Sequence, residues 1–292
     1  MISLSVIIPS YNSRRTVGLC LDALIPQLNG SSELLVVDSS GDGTGRFLKE
    51  RYPSLGLETI SGRVNAAFAR NYGVSRTRGT TLVFVDSDII VPPQWLNIIR
   101  SRLPSLESAA GIGSAVRPYG GFGAVGGALH LIEFSEFLRP PEAGGWNCPS
   151  CALVVSRERF VRTGGFPKEF DMAEDLIFSW TASSAGKSRF VFPDDLWVEH
   201  INRESADYFQ THLEELGFWS ARARRTVDLP GARLVRTFRG LSAGAIAHTR
   251  LRRIEQRVGG YGGDLAKFFV LNRGLIREGL AAWSEGFRRG AR

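Results

Sequence analysis

The sequence predicts an α/β fold, with a mostly parallel central sheet flanked by helices and a basic, helical C-terminal extension. Three observations carry that expectation. Short apolar runs alternate with segments of helical periodicity up to residue 85, the pattern of a parallel sheet covered on both faces. Several of those runs end in polar or acidic side chains, and ligands of open α/β sheets gather at the carboxyl ends of strands. Beyond Asn202 the composition turns basic, with 17 Lys/Arg against 9 Asp/Glu in residues 203–292. Residues 1–202 therefore carry about −1 of the total +7.

Leu4 to Ile8, closed by Pro9, reads as a buried strand. Val17, Cys20, Leu21, Leu24 and Leu28 recur at helical spacing after it. Leu34 to Val37 is the second strand, ending at Asp38 and a Ser/Gly-rich turn in which Asp42 or Thr44 caps the next helix, Thr44 being the better placed. Phe47 to Arg51 reads as a short helix, Leu57 to Ile60 as a strand, Ala66 to Arg76 as a helix, and Leu82 to Val85 as a strand ending in Asp86. The strand ends thus bear Tyr11, Asp38 and Asp86. Seven glycines between Gly111 and Gly127 suggest a mobile loop or a close backbone approach to something bound. Glu174 to Ala185 reads as a helix, and Arg189 to Phe192 and Leu196 to Val198 as late strands, the second leading into Glu199-His200.

Apolar residues make up 43% and charged residues 22% of the chain, which excludes wholesale disorder. Three cysteines (Cys20, Cys148 and Cys151) make no disulfide framework and suit a reducing compartment. Cys148 and Cys151 form a lone C-x-x-C, expected as small, partly buried turn residues because a structural zinc site wants four ligands. No secretory signal opens the sequence, and no run reaches the ~18 apolar residues of a membrane span. A cytoplasmic location is the expectation. The basic pI alone suggests nucleic acid, and no binding motif supports it.

Asp86-Ser87-Asp88, directly after Leu-Val-Phe-Val, sets two carboxylates at the end of a buried strand. Unpaired buried charge is costly. Hard oxygen ligands at that spacing suit Mg²⁺ or Mn²⁺ shared with substrate phosphates. Asp38, at the same edge, is placed to accept hydrogen bonds from a base or ribose.

Four motifs, Ser5-Val-Ile-Ile-Pro-Ser-Tyr-Asn12, Val36-Val-Asp-Ser-Ser-Gly-Asp-Gly-Thr44, Ala69-Arg-Asn-Tyr-Gly73 and Phe84-Val-Asp-Ser-Asp88, resemble family 2 glycosyltransferases of the GT-A fold in order and spacing. The likeness continues through Gly164-Gly165-Phe166, Glu174-Asp175 and Val198-Glu199-His200, and spans roughly residues 3 to 225. It implies a catalytic domain over residues 1–202, with a nucleotide-sugar half (1–110) and an acceptor half (111–202), and a separate basic helical region over 203–292. It implies that Tyr11 lies against the nucleotide base, with Pro9 and Ser10 shaping that pocket. Asp38 would bind the base edge, Arg70 the nucleotide part of the donor, and Asp86 the ribose or the metal. Asp88 and His200 would ligate the metal. Asp175 would be the general base, with Glu174 orienting it or the acceptor. The implied donor is a nucleoside-diphosphate sugar, with UDP or dTDP favoured, and the implied acceptor is a saccharide or a lipid-linked sugar. Transfer with inversion needs a carboxylate base to take the acceptor proton and a divalent cation to steady the leaving diphosphate.

Ile177 and Thr181 stand where many members carry an acidic residue and an arginine. No Q-x-x-R-W follows His200, so processive polymer synthesis is not expected. A sugar nucleotidyltransferase would need a glycine-rich opening after the first strand, where this chain has Pro-Ser-Tyr-Asn. The other alternative is a catalytically degenerate nucleotide- or carbohydrate-binding relative. It is weakened by the joint presence of Asp86, Asp88 and Asp175, and kept alive by Ile177 and Thr181. From Asp264 to Phe287, Leu265, Phe269, Ile276, Leu280, Trp283 and Phe287 form an apolar helical stripe among basic residues. Such a face either lies on an anionic membrane surface at the inner face of the membrane or packs against the catalytic domain or a second subunit, as in a homodimer.

Overall fold

In the computed structural model, which describes residues 3–121, 123–139, 144–184, 187–237, 242–260 and 263–292, the apolar runs assemble into a seven-stranded sheet. The strands are β1 (Leu4–Ser10), β2 (Ser32–Asp38), β3 (Gly56–Thr59), β4 (Thr81–Val85), β5 (Ile89–Ile90), β6 (Gly111–Gly113), β7 (Ala115–Pro118), β8 (Ala152–Ser156), β9 (Phe190–Val191) and β10 (Trp197–His200). The sheet order is β3-β2-β1-β4-β8-β6-β9. Strands β1 to β4 run parallel, β8 runs antiparallel to β4 and β6, and β9 is parallel to β6. The mostly parallel sheet flanked by helices, as expected, is the observed fold. All five residues of β4 are buried. That is why it reads as an unbroken apolar run rather than an alternating one.

The helices are α1 (Val17–Leu24), α2 (Thr44–Arg51), α3 (Ala66–Arg76), α4 (Trp95–Arg102), α5 (Ala124–Phe134), α6 (Arg157–Arg162), α7 (Glu174–Ala182), α8 (Ala206–Thr226), α9 (Ala232–Thr237), α10 (Ala243–Gly259), α11 (Gly263–Leu271) and α12 (Arg273–Ala291). Helix α7 stops at Ala182, and Ala185, the expected end, lies outside the described residues. Asn65, Ser156, Ser205 and Ser242 cap α3, α6, α8 and α10 by accepting a backbone N–H three residues on.

Contacts divide the chain into two units: Met1–Ala115 with Pro140–His200, and Val116–Arg139 with Ile201–Arg292. The first is built on the large sheet. Beside β4, Phe84, Phe160, Phe166 and Phe178 form a ring cluster with centroids 4.6–5.6 Å apart.

The glycine-dense stretch corrects the expectation of a mobile loop, because most of it is regular structure. Gly111 and Gly113 lie in β6, and Gly126 and Gly127 in α5. A Cβ on Gly113 would stand 2.2 Å from the Phe192 ring and 2.6 Å from the Cys148 sulfur. The close approach was legible, then, but its partner is the protein's own core. Cys148 and Cys151 are free and fully buried rather than partly so. Burial pushes both thiols well up, which leaves them inert.

In the second unit the apolar stripe is divided between two helices, α11 and α12, which break at Asn272. Leu265, Phe269, Ile276, Leu280 and Trp283 are buried in a core with Leu213 of α8 and Ile254 of α10. Packing within the chain therefore takes up most of the stripe, and Phe287 is only partly buried against that core. Helices α8 and α12 touch backbone to backbone through glycine. A Cβ on Gly217 would meet the Trp283 carbonyl at 1.9 Å, and one on Gly286 the Glu214 carbonyl at 1.8 Å. Among the described residues no helix is long and apolar enough to cross a membrane.

Candidate active site

The carboxyl edge of the parallel strands carries the chemistry. Where β1 and β2 end, Ser10 pairs with Asp38 in register. Asp38 Oδ1 accepts from the Ser10 hydroxyl at 2.7 Å and the Ser40 hydroxyl at 2.5 Å. Asp38 is fully enclosed, and its Oδ2 is buried with no hydrogen-bond partner. An orphan carboxylate oxygen is costly. Close by in sequence, Tyr11 is 44% exposed, and the Arg63 guanidinium carbon stands 5.5 Å from the centroid of its ring. Pro9, half-buried within β1, precedes this corner. Thr44 begins α2 rather than capping it, and Asp42 accepts from both its N–H (3.0 Å) and its hydroxyl (2.6 Å).

Arg70 sits on the face of α3 turned into the protein, 2% exposed. Its Nη2 donates to Asp86 Oδ1 and its Nη1 to Glu174 Oε1, both at 2.6 Å. Its guanidinium lies 5.4 Å from the Phe166 ring centroid. Burial works against the cation, but the charges of Asp86 and Glu174 hold its pKa above the usual arginine range. The guanidinium thus ties the end of β4 to the start of α7, and two of its donor nitrogens are taken by carboxylates.

Asp86 is fixed by its backbone as well, donating its N–H to the Cys151 carbonyl at 3.1 Å. Three residues on, the chain enters β5, which pairs antiparallel with β10 so that His200 opposes Ile89. That pairing brings His200 Nε2 to 3.7 Å from Asp88 Oδ1. Among the described residues, no three His, Cys, Asp or Glu side chains gather around one cation position. A carboxylate beside an imidazole still fits Mg²⁺ or Mn²⁺, provided diphosphate oxygens and water supply the remaining ligands.

Helix α7 opens after Ala173, a non-glycine residue at φ 64°, a left-handed conformation that costs energy and persists only where the surroundings enforce it. The first two helical residues are Glu174 and Asp175. Burial raises the Glu174 pKa, and Arg70 opposes that rise. Asp175 is pushed up to about 7, by burial first and then by the negative charge of Glu174, with Arg70 pulling the other way. The Ser150 N–H points at Asp175 Oδ2 from 3.4 Å. Two adjacent carboxylates therefore hold different positions, with Glu174 ion-paired and Asp175 poised to exchange a proton near neutrality.

Sequence reasoning missed how α3 organises the approach to α7. Asn71 Nδ2 donates to the Phe166 carbonyl at 2.7 Å, and its Oδ1 accepts the Phe166 N–H at 3.0 Å. Gly165 is at φ 74°, where a Cβ would stand 2.8 Å from Asn71 Oδ1. Asn65 Nδ2 donates to the Lys168 carbonyl at 2.8 Å. The Ala-Arg-Asn-Tyr-Gly motif held the signal, because Arg70 and Asn71 are adjacent and both reach the 164–174 segment. Ile177 is buried, and Thr181 turns its hydroxyl to the Ile177 carbonyl at 3.0 Å. Neither takes part in the ion pairs.

Comparison with known proteins shows the family and the fold. The model of glycosyl transferase family 2 matches residues 5–155. Glycosyltransferase AglE of Haloferax volcanii is 35% identical over 193 residues, covering 63% of this chain and 62% of that protein. The chain thus spans less than two thirds of that relative's length. Among solved structures, the mannosyltransferase PcManGT from Pyrobaculum calidifontis, in complex with GDP-Man and Mn²⁺, superposes with a TM-score of 0.64 at 19% identity, over 96% of this chain and 85% of that one. S. aureus TarS 1–349 in complex with UDP-GlcNAc gives 0.56 at 17% identity, over 98% and 90%. These two establish the likeness of fold.

Proposed function

The chain belongs to glycosyl transferase family 2, and from that premise we propose that it moves one sugar from a nucleoside-diphosphate sugar to an acceptor hydroxyl, with inversion and with Mg²⁺ or Mn²⁺. The observation that carries the reading is the Arg70-linked cluster, which sets Asp86 at the strand edge and places Asp175 beside the ion-paired Glu174.

Residues 1–110 bind the donor, and residues 111–202 contribute to acceptor binding. Tyr11 offers its exposed ring to the base. Asp38 would bind the base edge, which in UDP or dTDP offers the N3–H of uracil or thymine. Asp86 faces the ribose or the ion, and Asp88 with His200 would hold the ion. Bound there, Mg²⁺ or Mn²⁺ would stabilise the charge growing on the leaving diphosphate. Arg70 positions the carboxylates on either side of it. Asp175 takes the proton from the acceptor hydroxyl as its oxygen bonds to the anomeric carbon. The old bond to the diphosphate oxygen breaks, and its electron pair leaves with the nucleoside diphosphate. A base with a pKa near the working pH is efficient in that role. One base on the acceptor side suits a single displacement, which inverts the centre.

The acceptor we propose is a saccharide or a lipid-linked sugar, met at the cytoplasmic side of the membrane. Incubation of the protein with a panel of nucleotide-sugars and acceptors tests the reaction, read by release of nucleoside diphosphate and by NMR of the new linkage. Release from one donor that depends on acceptor, with the opposite anomeric configuration in the product, is the expected result. A retained configuration would overturn the single displacement.

A further inference from the structure

Arg70, in the first unit, is held between two carboxylates. Arg250 of α10, in the second unit, touches none. Its Nη2 donates to the Ile132 carbonyl at 3.1 Å, and its Nε is enclosed without a hydrogen-bond partner. The guanidinium lies 4.0 Å from the centroid of the Trp283 ring. Trp283 stacks on Phe287, one turn along α12, with centroids 4.8 Å apart. Arg224 of α8 stands 6.0 Å from the Phe287 centroid. The aromatic pair thus brings like charges from two helices to one place. Helix α10 adds two more, because Arg253 and Arg257 follow Arg250 at i+3 and i+7 and share its face.

One acid answers these four arginines. Arg257 donates to Glu136 Oε1 at 2.7 Å and to the Ser135 hydroxyl at 3.4 Å. Other carboxylates of these helices are engaged elsewhere, Glu255 by Arg252 and Arg273, Glu285 by Arg288, and Glu214 by Arg289. Four arginines less Glu136 leave three positive charges in excess, or two if Asp228, just beyond α8, is counted. Burial pushes the Arg250 pKa down to about 10, and Arg224, Arg253 and Arg257 add to the fall while Glu136 opposes it. Donors remain. Arg224 gives its Nε to the Pro230 carbonyl and its Nη1 to the Ser220 carbonyl, which leaves its Nη2. Arg253, exposed, makes no hydrogen bond or ion pair among the described residues.

We propose that Arg224, Arg250, Arg253 and Arg257 form an anion site that takes a phosphate-bearing small molecule. Crowded like charges repel, and an anion among them offsets that cost. A carboxylate would answer one spare charge. A phosphate group carries about −2 and presents several acceptor oxygens to guanidinium forks. The site is independent of the sugar-transfer reading, since its residues lie in the second unit and none belongs to the Arg70 cluster.

The test is calorimetric titration of the full chain with inorganic pyrophosphate and with UDP in a metal chelator, which silences a cation-dependent donor site. The expected result is one pyrophosphate bound per chain, more weakly as salt is raised. In Arg253→Gln and in Arg224→Gln the affinity should fall by roughly 10- to 100-fold each, the worth of a hydrogen bond to a charged group. Arg253→Gln alters an exposed side chain, and an unchanged melting temperature without ligand would show it folded. UDP bound as tightly as pyrophosphate would support a nucleoside diphosphate as the occupant, and pyrophosphate alone would support a bare phosphate anion. No pyrophosphate binding by the native chain, or equal binding by folded Arg253→Gln and Arg224→Gln, overturns the proposal. So does binding that Asp88→Ala abolishes, which would put the anion at the strand edge instead.

Discussion

Arg70 and Glu174 lie 104 positions apart and meet at 2.6 Å in an enclosed site, with the same guanidinium also holding Asp86. One cation thus bridges two carboxylates from two different elements. Removing one partner of a buried ion pair leaves an uncompensated charge. Arg70→Met should therefore destabilise the protein by about 3–5 kcal/mol, measured by urea unfolding. A loss below about 1 kcal/mol, the worth of an exposed pair, would contradict the enclosed arrangement.

Asp175→Asn should lower turnover by roughly 100- to 10,000-fold while donor binding persists. In the native enzyme the base must be ionised. Its pKa is raised to about 7, so activity should be full above that value and fall with acidification, approaching tenfold per pH unit below it. Arg70 lowers the Asp175 pKa, so any folded Arg70→Gln protein should show this limb at higher pH. A profile flat from pH 5 to 8, both far enough from about 7 to reveal the limb, would remove Asp175 from the role.

The strand edge was legible because β1, β2 and β4 each carry an apolar run that gives way to a polar residue, Ser10, Asp38 and Asp86, at the carboxyl end. Helix α3 was legible as a helix, but no local pattern says that Arg70 turns inward or that it finds Glu174. That depends on where the 164–174 segment is pinned. Glycine density around Gly111 and Gly113 is equally consistent with a loop and with tight packing, and only the positions of Phe190 and Phe192 decide between them. The periodicity of the Leu265–Phe287 stripe reveals an apolar face without saying what covers it.

The pin can be tested separately. Asn71→Leu keeps the side-chain size but leaves the Phe166 N–H and carbonyl without their partner. Stability should fall by about 1–3 kcal/mol for each buried group left unsatisfied. Turnover should fall more than donor affinity, because α7 carries the base. Equal losses in both would mean that the segment serves the donor site instead.

Helices α8 and α12 touch where only glycine fits. Gly286→Ala would drive a methyl into the Glu214 carbonyl and should cost about 1–3 kcal/mol by overpacking, read by thermal melting. Gly274→Ala, where a Cβ meets nothing within 4 Å, should be neutral or slightly stabilising.

The most direct measurement is thermal-shift binding of UDP, dTDP, GDP and CDP, each with and without Mn²⁺ or Mg²⁺, to the native protein and to Asp88→Ala. Stabilisation by one diphosphate, UDP or dTDP, that requires the cation and is lost in Asp88→Ala is the expected result. Folded protein that binds none of the four, or binding that is indifferent to both the cation and Asp88, would contradict it.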